Sequence, residues 1–97
     1  MPPAYIIADV NITDEVQYAE YRKLSKVASD KYGAEACVRG GATEMLEGGW
    51  QPGRMVVLKF PSMADARQFY ESPEYSLARA ARSGAAVMRM IIVEGTA

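Results

Sequence analysis

Apolar and polar residues alternate from the fifth residue onward. Ile6, Ala8, Val10 and Ile12 fall on one side of an extended chain, and Tyr5, Ile7, Asp9 and Asn11 on the other. This predicts a strand over Tyr5–Ile12. The period then changes to that of a helix. Thr13 and Asp14 suit its N-cap, and Glu15 sits near the positive end of the dipole. The helix is expected to run to about Tyr32, where Gly33 suits a left-handed residue at the C-terminus. Tyr18, Tyr21, Leu24, Ser25, Ala28 and Tyr32 share its inner face. Glu20, Arg22, Lys23, Lys26 and Asp30 share the outer one.

A second strand is predicted over Glu35–Arg39, interrupted by Gly40-Gly41 as a bulge or bend would interrupt it. Thr43–Glu47 resumes an extended pattern, and Gly48-Gly49-Trp50-Gln51-Pro52-Gly53 reads as a loop. Arg54–Phe60 is a third strand, ended by Pro61. Ser62, with Asp65 three residues on, starts a helix whose apolar stripe is Met63, Ala66, Phe69 and Tyr70. Ser72-Pro73-Glu74 stops that helix and starts another, which runs to about Arg82 before Ser83-Gly84. Val87–Glu94 is the last strand.

The order β-α-β-β-α-β, with the second helix broken, predicts one α+β domain over residues 1–97. The expected fold is ferredoxin-like, a four-stranded antiparallel sheet with its helices on one face. The other face then lacks a cover. It carries Tyr5 and Ile7 from the first strand, and either Met88, Met90 and Ile92 or Val87, Ile91 and Val93 from the last. Either choice leaves apolar area that a two-fold partner would bury sheet to sheet, so a homodimer is expected.

Composition narrows the function classes. Hydrophobic residues make up 49% and charged residues 24%, which fits a globular domain rather than a disordered one. A net charge of −1 without like-charge runs gives no footprint for nucleic acid or a membrane surface. No apolar run approaches the ~20 residues of a spanning helix, and Met1-Pro2-Pro3-Ala4 opens no signal peptide. A single cysteine, Cys37, forms no internal disulfide, so a cytoplasmic location is expected. Histidine is absent, which removes His-based acid–base catalysis and the usual zinc and haem ligands. Neither a metal nor a cofactor is expected.

The remaining candidates are few. Arg39 ends a strand just before Gly40-Gly41, where a guanidinium can hold a carboxylate or enolate oxygen with two parallel bonds. Its structural alternative is pairing with Glu47. Glu47 precedes the Trp50 loop, where a partly buried carboxylate would act as a base; its structural alternative is pairing with Arg54 or Arg39. Tyr75 and Arg82, seven residues apart, share a helical face and are the best binding candidates on the helices. The other helical tyrosines either line a pocket or pack the core. Cys37 reads as an inert, buried strand residue, and Asp9, Lys59 and Arg89 as cross-strand pairs.

Several segments carry a resemblance: Tyr18-Ala19-Glu20-Tyr21-Arg22, Arg39-Gly40-Gly41, Glu47 through Arg54, Phe60-Pro61-Ser62, Phe69 through Tyr75, and Val93-Glu94-Gly95. In these, over nearly its whole length, the chain resembles the uncharacterised family known as domain of unknown function 1330, within the dimeric α/β-barrel superfamily. The resemblance implies a small homodimeric α+β protein and no established activity. Superfamily relatives include cofactor-free oxygenases, lactone isomerases and haem enzymes, and the missing histidine argues most against the last. Two classes follow. One is a module that binds a small anionic or enolisable ligand, or a protein partner, through a groove. The other is a cofactor-free isomerase or monooxygenase-like enzyme acting on a small carbonyl compound, with Arg39 binding and Glu47 or a tyrosine moving a proton.

Overall fold

A computed structural model describes residues 2–96. Seven elements follow in order: β1 (Ala4–Ile12), α1 (Glu15–Lys31), β2 (Glu35–Arg39), β3 (Arg54–Phe60), α2 (Met63–Glu71), α3 (Pro73–Ala81) and β4 (Ala86–Glu94). The helix starts are set by side-chain caps. The Gln17 N–H donates to the Asp14 carboxylate at 3.1 Å, and the Asp65 N–H to Ser62 Oγ at 3.1 Å. Ser72 works in both directions at the break between α2 and α3. Its hydroxyl accepts from the Tyr75 N–H at 3.1 Å and donates to the Phe69 carbonyl at 2.7 Å. Gly33, at φ 73°, follows α1 in the left-handed region expected of it.

The strands form one antiparallel sheet in the order β2-β3-β1-β4. With α1, α2 and α3 this is the ferredoxin-like arrangement. Register settles which residues share a face. Ala8 lies opposite Val56 and Met90, and Val10 opposite Arg54 and Met88, so these residues share the helix-covered face. Ile7 lies opposite Val57 and Ile91, and Asp9 opposite Met55 and Arg89, on the open face. On the last strand it is therefore Val87, Ile91 and Val93 that point away from the helices, while Met88, Met90 and Ile92 pack on the core. The core gathers Ile6, Ala8, Val10, Leu58 and Phe60 of the sheet with Tyr18, Tyr21, Ala66, Phe69 and Tyr75 of the helices. Each fully buried aliphatic or aromatic side chain there contributes about 1.5–3 kcal/mol.

Two local expectations change. Thr43–Glu47 forms no strand: residues 40–51 are an exposed excursion between β2 and β3. β3 already has β1 on one side and β2 on the other, so no sheet edge is free beside it. Cys37 is exposed rather than buried. The β2–β3 register shifts between Ala36 and Val38, and Cys37 is the extra residue of that bulge.

Candidate functional site

A cavity of about 210 Å³ lies between α1 and the covered face of the sheet. Its floor is buried and apolar: Ile6, Ala8, Val10 and Leu58 from the strands, Phe69 and Tyr75 from the α2–α3 layer. Met88 and Met90 add flexible, polarisable walls. Exposed Arg22, Lys26 and Arg39 mark its mouth, with Arg54 half-buried beside them. An apolar cavity of roughly 150 Å³ takes benzene. The volume here therefore suits a single substituted ring or a molecule of similar size.

Two phenols sit at the floor. The Tyr21 and Tyr75 hydroxyls meet at 2.7 Å, and Tyr75 Oη lies 4.0 Å from Met90 Sδ. Tyr18 stacks obliquely on Tyr21 with ring centroids 5.0 Å apart, and Phe69 on Tyr75 at 4.6 Å. Burial, reinforced by neighbouring Tyr21, pushes the Tyr75 phenol well above its ordinary range. Burial also raises Tyr18. Both therefore stay protonated at neutral pH and act as donors. The Arg82 guanidinium lies 5.6 Å from the centre of the Tyr21 ring, and its buried Nε has no partner.

The charged side chains at the mouth are all cationic. Among the described residues no Asp or Glu lines the cavity. Arg22 reaches Glu15 at 3.8 Å and Lys26 reaches Asp30 at 3.1 Å, both in exposed pairs of little strength. Among the described residues, Arg39 and Arg54 enter no ion pair. Gly40 makes room for one of them. A Cβ there would overlap the Arg54 guanidinium, and the residue's φ of 72° already suits glycine. One end of the helix layer is tied by Glu74 of α3, which accepts from Lys31 Nζ at 2.6 Å and from the Tyr32 hydroxyl at 2.9 Å. The hydrogen bond from Lys31 holds the Glu74 carboxyl down at about 2.

The structure brings Arg39 and Tyr75 into one cavity. Arg82 stands over the ring of Tyr21, a lining residue, but does not itself line the space. Glu47 lies in the exposed excursion and lines none of the cavities described here. The carboxylate beside the Trp50 indole is Asp9, at 3.4 Å from Nε1. Asp9 also accepts from the Gly53 N–H at 2.9 Å and from Arg89 at 2.8 Å, and it faces the open side. The Gly53 N–H, then Arg89, lowers its pKa. Arg22, Lys26 and Arg54 were not anticipated at the site. The two helical ones alternate with the buried tyrosines at i+4 spacing, Tyr18 to Arg22 and Arg22 to Lys26, along the edge of the inner stripe. Among the described residues no group of three or more His, Cys, Asp or Glu side chains is placed to hold a metal, and no helix is long and apolar enough to cross a membrane.

The family model described as "Domain of unknown function (DUF1330)" matches residues 3–96. The chain belongs to this family. No curated protein matches the DUF1330 chain. Among solved structures it is similar to RPA0582, a protein of unknown function from Rhodopseudomonas palustris. That likeness has 22% identity and a TM-score of 0.77, covering 99% of this chain and 84% of that one. A dimeric protein of unknown function with a ferredoxin-like fold from Bacteroides fragilis has 12% identity and a TM-score of 0.57, over 95% of each chain. SnoaB of Streptomyces nogalater, a cofactor-independent oxygenase, has 8% identity and a TM-score of 0.60, over 100% of this chain and 96% of its own. At these identities the likenesses speak to the fold.

Proposed function

We propose that this DUF1330 protein is a homodimer that binds a small, largely apolar anion in the cavity between α1 and the sheet. The carrying observation is the charge of that cavity: four cationic side chains among its lining residues and no carboxylate. Arg39 and Arg54, free of ion pairs among the described residues, supply planar donor forks that fit a carboxylate or an enolate. The floor removes the ligand's apolar part from water at about 25 cal/mol per Å². The dimer would join two open faces through Ile7, Val57, Ile91 and Val93, leaving both cavities on the outer, helix-covered sides. The Bacteroides fragilis neighbour, itself dimeric, supports the two-chain assembly.

Binding is favoured over turnover because no lining residue is a proton acceptor at neutral pH. Tyr75 is held protonated by burial, the arginines carry no lone pair to offer, and Glu47 lies outside the cavity. A cofactor-free enzyme acting on a small carbonyl compound is the alternative, supported by the fold shared with SnoaB. Such an enzyme would take a substrate already ionised, whose enolate the arginines and the tyrosine hydroxyls stabilise. Calorimetric titration of the purified dimer with benzoate and with neutral benzamide tests the binding reading. Benzoate should bind and benzamide should bind at least tenfold more weakly. Arg39→Ala should weaken benzoate about tenfold, the scale of one charge-assisted bond. Equal affinity for the acid and the amide would refute it.

A further inference from the structure

The floor of the cavity holds a donor that the protein leaves almost unused. Tyr21 and Tyr75 bring two O–H groups, and one proton suffices for the 2.7 Å bond between them. The remaining proton has Met90 Sδ at 4.0 Å as its protein neighbour, a weak acceptor at the limit of hydrogen-bond distance. Tyr75 is 1% and Tyr21 7% exposed, so an acceptor reaches this donor through the cavity. The nearby Arg82 guanidinium has no lone pair to offer. Tyr21, Tyr75 and Met90 all line the cavity, so this donor sits at its wall. A buried donor with so poor a partner favours any ligand that brings an acceptor to it.

We propose that the ligand has two ends. Its carboxylate sits among the arginines of the mouth, and a second oxygen, phenolic or carbonyl, accepts from the Tyr21–Tyr75 pair at the floor. Between them lies a flat apolar body, for the rings of Tyr18, Tyr21, Phe69 and Tyr75 pack beside one another at 4.6 to 6.2 Å and offer aromatic walls. With a volume of about 210 Å³, the fitting class is a one-ring aromatic acid carrying oxygen para to its carboxylate. This assignment rests on the anion-binding function proposed above.

Benzoate, 4-methylbenzoate and 4-hydroxybenzoate separate the two ideas. The methyl and hydroxyl compounds have nearly the same shape, and only one carries oxygen at the far end. 4-Hydroxybenzoate should bind about tenfold more tightly than 4-methylbenzoate to the native protein, as one net buried hydrogen bond requires. In the double variant Tyr21→Phe/Tyr75→Phe the two should bind within about twofold of each other, because either hydroxyl alone would keep a free proton at the floor. Should the double variant fail to fold, as judged by its thermal melt, a crystal structure of the native protein with 4-hydroxybenzoate replaces it, and the phenolic oxygen should lie within about 3.2 Å of the Tyr21 or Tyr75 hydroxyl. Equal affinities in the native protein, with Arg39→Ala still weakening both, would overturn the two-ended ligand and leave the anion site standing. A preference for the hydroxyl compound that survives in the double variant, or a phenolic oxygen placed away from both tyrosines, would overturn it as well. Failure of all three acids to bind would overturn the anion site and this assignment together.

Discussion

On the open face of the sheet Asp9 answers three donors: Gly53 N–H at 2.9 Å, Arg89 at 2.8 Å and Trp50 Nε1 at 3.4 Å. On the covered face Arg39 and Arg54 enter no ion pair among the described residues, and the carboxylates of the cavity's neighbourhood stay outside it. The same sheet thus carries a charge that is fully used within the fold and charges that enter no ion pair. A satisfied carboxylate pins the end of the 40–53 excursion to β1 and β4 and is part of the scaffold. Cations left without ion pairs beside an apolar hollow are what the proposed anion site rests on.

The largest test strikes the open face. Ile91 is 60% exposed in the single chain, in the middle of the apolar face and opposite Ile7. Ile91→Asp would bury a carboxylate against the partner sheet without an ion to pair it, which is prohibitive. Sedimentation equilibrium at micromolar concentration should report twice the chain mass for the native protein and the single-chain mass for this variant. A native monomer would remove the dimer altogether.

A smaller effect, but a sharper one, separates the two kinds of charge. Asp9→Ala should lower the melting temperature and leave benzoate affinity within about twofold, whereas Arg39→Ala should do the reverse. The acid limb of stability gives the sign. The Asp9 carboxyl is held below its ordinary 3.8 in the folded chain, so the unfolded chain takes up the proton first. The stabilisation is complete above the unfolded value and is lost as pH falls through the lowered folded one. Between about pH 5 and pH 2 the native protein should therefore lose more of its melting temperature than Asp9→Ala does. Parallel curves would mean that the Asp9 network contributes nothing.

The smallest expected change joins the two properties at one position. Gly40→Ala strains a φ of 72° and drives the new methyl into the Arg54 guanidinium. It should cost about 1 kcal/mol in denaturant unfolding and also weaken benzoate, because Arg54 is displaced from the mouth. A stability loss without a binding loss would take Arg54 out of the site.

Most of the fold was legible because local signals and tertiary demands agree. The caps Asp14, Ser62 and Ser72 each start a helix where the sequence placed one. The face of β4 was not legible. Val87-Met88-Arg89-Met90-Ile91-Ile92-Val93 is apolar on both alternations, and only its register against Ala8 and Ile7 decides between them. Thr43–Glu47 has strand-like residues, but β3 beside it is already paired on both sides, with β2 and β1. Of the cavity lining, Arg39 and Tyr75 stood out in the sequence because a strand end beside glycine and a phenol on an inner helical face are each unusual. Arg22 and Lys26 could not. A helical wheel divides residues into inside and outside, and these two lie on the margin where α1 overhangs the sheet. Glu47 was legible as a charge before a loop, but the path of residues 40–51 is set by long-range contacts that no local pattern encodes.

Ser72 has a bearing on how this family can diversify. Its hydroxyl holds the Phe69 carbonyl on one side and the Tyr75 amide on the other, so two rings of the cavity floor hang from one joint. A relative that replaced Ser72 with another capping residue, Thr, Asn or Asp, would tilt α3 against α2 and swing both rings together. The shape of the cavity can drift in this way while every residue that lines it stays the same. The joint is a tuning screw, and sequence comparison confined to the cavity wall would not see it turn.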